Sequence, residues 1–245
     1  MNFEHLDKKK KKLDAIRPFP EHSLKSLRKN LIVEWTYNSN AIEGNTLTLQ
    51  ETKVVLEEGI TIGGKSLREH LEATNHREAI LYVEDIVRDK EPFSEWQIKN
   101  IHKLILQKID DENAGRYRKQ NVVISGALHI PPDFLQIPGE MEQFVEWYHK
   151  TGLWLHPVER AALVHSIVVK IHPFVDGNGR TARLLLNLEL MKNGYPPIVI
   201  KKEDRLAYYK ALDKAHTEDD NEDFIEIVSE KTEETLDFYL KIMHK

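Results

Sequence analysis

The segment His172-Pro173-Phe174-Val175-Asp176-Gly177-Asn178-Gly179-Arg180-Thr181-Ala182-Arg183 gathers groups suited to phosphate chemistry into twelve residues. His172 offers a base whose ordinary pKa near 6.5 suits proton transfer at neutral pH. Pro173 should end the preceding helix near His172, leaving the imidazole at a helix edge rather than inside a packed face. Gly177, Asn178 and Gly179 allow a sharp turn and a close backbone approach to a ligand. A helix starting there aims its free N–H groups and positive dipole end into the turn, which suits a phosphate. Arg180 and Arg183 lie one helical turn apart at the same mouth. Asp176 adds the hard carboxylate oxygen that Mg²⁺ takes when it also holds substrate phosphates. Singly these are ordinary turn, cap and loop residues; together they describe a base beside a metal-bound phosphate.

The elements needed to position this segment are mostly helical. Arg180 to Met191 carries Leu184, Leu185, Leu186, Leu188 and Leu190, apolar on nearly every side, which predicts a buried central helix. Val158 to Ile171 forms the helix that delivers His172. Leu24, Leu27, Leu31 and Trp35 make one apolar stripe on a helix running into the early 40s. Further helices are expected over Leu49 to Glu58, from the Ser66 N-cap to about Arg88, and from the Ser94 N-cap to about Ile109, with Gln97 at the capping-box position. Met141 to Tyr148, Asp204 to Ala215 and Phe224 to Tyr239 complete the set. Asn121 to Ile130 differs. Two apolar arms flank Ser125-Gly126-Ala127, a pattern that reads as a β-hairpin closed by Pro131-Pro132.

Composition narrows the class. With 245 residues, 40% hydrophobic and 31% charged, the chain can bury a real core, and the absence of a Pro/Ser-rich linker favours one domain. The net charge of −5 argues against a general nucleic-acid coat. Zero cysteines exclude disulfides, a Cys-ligated zinc and a thiol nucleophile. No stretch approaches the ~20 apolar residues of a membrane span, so the chain reads as cytosolic. Lys8 to Lys12 sit beside Asp7 and Asp14 on a helix, a solvated face rather than a targeting signal. No histidine pair has the HExxH spacing of a zinc site.

His172 to Arg183 matches the signature HPFx(D/E)GNGRxxR at every specified position, and the chain resembles the Fic family from about residue 18 to residue 240. The likeness includes the His129-Ile130-Pro131-Pro132 and His156-Pro157-Val158-Glu159 stretches. It implies an all-α fold with a short β-hairpin flap over the active site, a single domain over 1–245 with its core at about 66–240. The implied activity is transfer of AMP from ATP to a Ser, Thr or Tyr hydroxyl of a target protein. In that scheme His172 is the general base, Asp176 holds Mg²⁺ or Mn²⁺, and Gly177, Asn178 and Gly179 cradle phosphate oxygens. Arg180 and Arg183 hold the β/γ end of ATP, and Tyr208 and Tyr209 line the nucleoside pocket. His216 stands where close relatives often have Asn. The flap residues Val122, Val123, Ile124, Leu128, His129 and Ile130 would pair with an extended target segment.

A second match lies far upstream. Ser39-Asn40-Ala41-Ile42-Glu43-Gly44 fits the family's inhibitory pattern (S/T)xxxE(G/N), at the end of a helix over about 23–43. A helix C-terminus disfavours an anion by roughly 0.3–1 kcal/mol, so Glu43 calls for a cation, and the resemblance supplies Arg183. AMP removal assisted by Glu43 stays open here, as does a homo-oligomer. Two alternatives also stand: phosphorylation of the kind catalysed by Doc-like relatives, which carry Lys at the position of Gly179, and a non-catalytic binding module. Protein targets and ATP are the expected partners, with neither nucleic acid nor membrane.

Overall fold

The leucines that follow the Gly-Asn-Gly turn are buried on every side of their helix, which makes that helix the axis of the fold. The computed structural model describes residues 1–243. Its helices in chain order are α1 (Glu4–Ala15), α2 (Glu21–Ile42), α3 (Leu49–Glu58), α4 (Leu67–Arg88), α5 (Glu95–Leu106), α6 (Ile137–Lys150), α7 (Pro157–Ile171), α8 (Asn178–Lys192), α9 (Arg205–Thr217) and α10 (Glu222–Met243). The helix pair α7 and α8 packs most extensively, and its connection is the signature loop. Leu184, Leu185 and Leu188 enter a core shared with Ile80 of α4, Ile98 of α5 and Met141 of α6. Leu186 and Leu190 enter a second core with Leu6 of α1, Tyr208 of α9 and Phe224 of α10. A smaller cluster, including Val33, Val55 and Ala73, fastens α2 and α3 to α4.

Local signals explain the boundaries. The Ser66 hydroxyl accepts the Glu69 N–H at 3.2 Å and the Glu69 carboxylate returns to the Ser66 N–H at 2.8 Å, a complete capping box. Ser94 accepts the Gln97 N–H at 3.4 Å, but the Gln97 amide turns to Glu91 instead, so that box is half formed. Across the axis, buried Arg160 of α7 meets buried Glu189 of α8 at 2.6 Å, and the Tyr148 hydroxyl satisfies the second carboxylate oxygen at 2.6 Å. Such a pair is tolerable inside a core because its donors and acceptors are matched. No described helix is long and apolar enough to cross a membrane.

The expected hairpin is corrected. Among the described residues there are no strands, and Asn121 to Ile130 is an extended segment with a turn at Ile124–Ala127, where Ala127 N–H meets Ile124 O at 3.2 Å. Gly126 supplies the positive φ of +81° that the turn requires. The arms bond to helices rather than to each other: Leu128 N–H donates to Asp213 Oδ1 at 3.1 Å, and His129 Nε2 lies 2.8 Å from Lys170 O. A lone two-stranded ladder is marginal in water, and anchoring from below replaces it here.

Candidate functional site

Residues 172–177 leave α7 and enter α8 through a tightly fixed loop. His172 caps α7 in the left-handed region, φ 50° and ψ 58°. A non-glycine residue held there carries a strain of about 1–3 kcal/mol, so its surroundings must hold it. Arg118 does so by donating from Nε to His172 O at 2.9 Å. The imidazole is largely buried; burial first, then the Arg118 charge, lowers its pKa to about 4. At neutral pH it is therefore an unprotonated base. His102 of α5 supports the loop from beneath, accepting the Gly115 N–H at Nδ1 (2.9 Å) and bonding Asp176 O through Nε2 (2.9 Å). Its ring stacks on Phe174 at 3.6 Å, and burial lowers its pKa to about 4, keeping it neutral.

Asp176 lies in a ring of arginines. Its Oδ2 accepts from Arg68 Nη2 at 2.6 Å, and its Oδ1 from Arg180 Nη2 at 3.0 Å. Burial opposes ionisation, but Arg180, the Gly177 N–H and Arg68 outweigh it and hold the carboxyl below its usual range. Glu72 of α4 completes the ring, 3.4 Å from buried Arg180 and 3.1 Å from Arg68. No group of three or more His, Asp or Glu side chains placed to hold a metal occurs among the described residues. A lone hard carboxylate at an anion nest suits a Mg²⁺ that takes its remaining ligands from substrate phosphates and water. The Asn178 side chain braces the loop: it donates to Phe174 O at 2.8 Å and accepts the Phe174 N–H at 2.9 Å.

The Glu43 carboxylate already lies against the start of α8. A Cβ added at Gly179 would collide with the Glu43 carboxylate, so glycine is what lets that carboxylate reach the start of α8. Arg183, 140 positions from Glu43, donates to Glu43 Oε1 at 2.7 Å, to Ser39 Oγ at 3.1 Å, to Ser39 O at 2.8 Å and to the Tyr208 hydroxyl at 3.3 Å. Tyr208 is fully buried and 3.0 Å from His165 Nε2, so its hydroxyl belongs to the support of Arg183 in this conformation. Tyr209 is 39% exposed and its hydroxyl donates to Ile42 O at 3.3 Å, at the end of α2. The same end of α2 is fastened to α4: Asn40 donates to Glu72 O at 3.2 Å, and Asn45 to Glu72 Oε2 at 2.9 Å.

Above the loop, Val123, Leu128 and Ile130 point outward and are 84%, 79% and 75% exposed, while Val122, Ile124 and His129 turn inward. His129 meets buried His216 edge-on at 5.2 Å, and His216 Nε2 lies 3.1 Å from Ser166 O. Burial first, then His129, lowers the His216 pKa to about 4. The sequence reading missed Arg68, Glu72, His102, Arg118 and His165. None has a spacing relation to the signature, and their roles arise from contacts made only in the fold.

The profile of the Fic/DOC family matches residues 92–190. The chain is 41% identical over 241 residues to Protein adenylyltransferase Fic of Nematostella vectensis, covering 97% of this chain and 56% of that protein. It spans about half the length of the curated relatives it matches. Among solved structures, a Fic-domain-containing signaling protein from Bacteroides thetaiotaomicron is similar at TM-score 0.88 and 33% identity, covering 100% of this chain and 98% of that one. Fic-1 from C. elegans is similar at TM-score 0.87 and 32% identity, covering 98% of this chain and 72% of that one.

Proposed function

The chain belongs to the Fic/DOC family, and from that premise we propose that it transfers AMP from ATP to a hydroxyl side chain of a protein target and is held back by Glu43. The observation that carries the proposal is an unprotonated His172 beside a glycine-lined helix N-terminus against which the Glu43 carboxylate lies. The names of the curated relatives support nucleotidyl transfer. His172 takes the proton of the target hydroxyl as its oxygen attacks the α-phosphorus, and the bond to the β-phosphate breaks to release pyrophosphate. Backbone N–H groups of Asn178 and Gly179 and the guanidinium of Arg180 bind phosphate oxygens, while the Gly177 N–H stays on Asp176. Mg²⁺, when bound at Asp176, neutralises phosphate charge. The extended segment 121–130 keeps backbone groups free to pair with an incoming target strand. The chain acts as one Fic domain, with α2 as its inhibitory helix, and the absence of cysteine fits a cytosolic setting.

Labelled ATP tests the assignment. Incubation of the Glu43→Gly chain with α-labelled and, separately, γ-labelled ATP in lysate should move only the α-label onto protein. Transfer of the γ-label would instead establish phosphorylation, and transfer of neither would establish a binding module. Pre-labelled protein returned to the wild-type chain reports AMP removal in the same assay.

The metal gives a further expected result. Asp176→Ala should lower α-label incorporation about tenfold, with part of the loss recovered at raised Mg²⁺, because the carboxylate that would hold the metal is removed and the phosphates and water remain as ligands. Unchanged incorporation in excess EDTA would exclude the metal from the reaction.

A further inference from the structure

Arg118 lies between the base and the segment that covers it. It is 3% exposed, and no described carboxylate forms an ion pair with it. Each of its three guanidinium nitrogens instead donates to a backbone carbonyl: Nε to His172 O at 2.9 Å, Nη1 to Gln120 O at 2.9 Å and Nη2 to Pro132 O at 2.5 Å. Its backbone N–H donates to Pro173 O at 2.9 Å. Gln120 and Pro132 bracket the whole extended segment, so one side chain closes both of its ends and fastens them to the residue that bears the imidazole.

Burying a guanidinium without a carboxylate is costly unless every direction of its rigid fork finds an acceptor. A neutral amide has too few donors in the right fan to reach three diverging carbonyls, and a lysine ammonium sits on a stem that reaches fewer of them. The segment's other ties converge on the same place. His129 bonds Lys170 O, two residues before His172, and the Asn121 amide joins Asp133 at 2.8 Å at the segment's base. The backbone of His172 is in the left-handed region, where a non-glycine residue has little conformational freedom of its own. Its carbonyl is held by Arg118, and with it the backbone from which the ring projects.

We propose that Arg118 is a positioning residue that locks the register between the target-docking segment and His172, so that a hydroxyl presented by a docked strand arrives in line with the base; this rests on the AMP-transfer reading above. A misplacement of about 1 Å between nucleophile and base is enough to lower a rate ~10²-fold, so a rigid tie between the two is worth a buried cation. Arg118 touches neither nucleotide nor hydroxyl. It acts through the two backbones it joins.

The test compares Arg118→Gln and Arg118→Lys in the Glu43→Gly chain. Hydrogen exchange of residues 119–133 and 169–173 is followed by mass spectrometry, together with kcat and KM for ATP in α-label transfer. In Arg118→Gln, exchange in both segments should quicken, and kcat should fall about tenfold with KM for ATP unchanged. Arg118→Lys, keeping the charge and part of the bonding, should lie between. Parental exchange and kcat in both variants would overturn the proposal, as would a loss confined to KM for ATP. If Arg118→Gln does not fold, Arg118→Lys is read by the same two criteria. A Glu43→Gly parent that transfers no label would refute AMP transfer itself. Unchanged exchange at 119–133 and 169–173 would then still refute the tie, and quickened exchange would uphold it.

Discussion

Alanine at position 172 is expected to lower AMP incorporation at least ~10²-fold while ATP still binds. Among the described residues, the His172 imidazole at the start of the signature loop forms no ion pair with a carboxylate. Asp176 is occupied by Arg68 and Arg180, and Glu43 by Arg183. In the proposed reaction, phosphate contacts come from the backbone of Asn178 and Gly179 and from the arginines, which the substitution leaves in place. Undiminished labelling by the folded variant would remove His172 from the mechanism. The pH profile of the wild-type site carries the same signature. With the folded pKa lowered to about 4 from 6.5, the base stays unprotonated as the pH falls through 6.5, and the acid limb of the rate lies below that of a free imidazole. Stability runs the other way and must be followed in parallel. His76, His102, His165, His172 and His216 are all lowered, burial being the leading cause in each. Between 6.5 and their folded values the unfolded chain binds more protons than the fold, so stability decreases as pH falls below 6.5. Circular dichroism at each pH separates the two effects.

The parts of this site that were legible in the sequence are those whose partners are neighbours in the chain. His172, Asp176, the glycines and Arg180 lie within nine residues, so local helix and turn physics alone placed them around one mouth. The central helix was legible because leucine on every face leaves it nowhere to go but the core. The contact between Glu43 and Arg183 was legible only through family resemblance, since nothing local brings residues 140 positions apart together. Arg118, Glu72 and His102 were not legible. Arg118 and His102 bond backbone groups of distant segments, which leave no mark on residue type, and Glu72 meets Arg180 only because the fold brings α4 beside α8. The hairpin failed for a related reason. Alternating arms around a glycine turn state which side chains point up or down, and Val123, Leu128 and Ile130 do point outward. Whether the arms pair depends on what lies beneath them, and here Asp213 and Lys170 offer competing anchors.

Glycine at position 43 is expected to raise AMP incorporation by about one to three decades. Arg183 is a buried cation with four of its five N–H donors engaged by Glu43, Ser39 and Tyr208, and its charge is already paired with the Glu43 carboxylate. The Glu43 carboxylate also lies against Gly179, on the nest where phosphate oxygens belong, and its charge repels them. ATP entering past it would bind with its α-phosphate turned from the line between target hydroxyl and leaving group. Removing the carboxylate frees the guanidinium and the nest together, and touches neither His172 nor Asp176. Charge-assisted bonds of this kind are worth a few kcal/mol at most, which sets the upper end of the expected gain. The helix itself should stay in place. Asn40 and Asn45 still bond Glu72, Tyr209 still bonds Ile42 O, and residue 43 has an ordinary φ of −88° that glycine adopts freely. Glu43→Gln separates charge from bulk: an amide that still fills the nest should give a gain smaller than glycine. The measurement is the initial rate of α-label incorporation, at equal concentrations of wild type, Glu43→Gln and Glu43→Gly. Equal rates across the three would refute autoinhibition by Glu43. A slower Glu43→Gly chain would show instead that the carboxylate holds α2 in a form that catalysis needs, since it is the one contact among those at the end of α2 that the substitution removes.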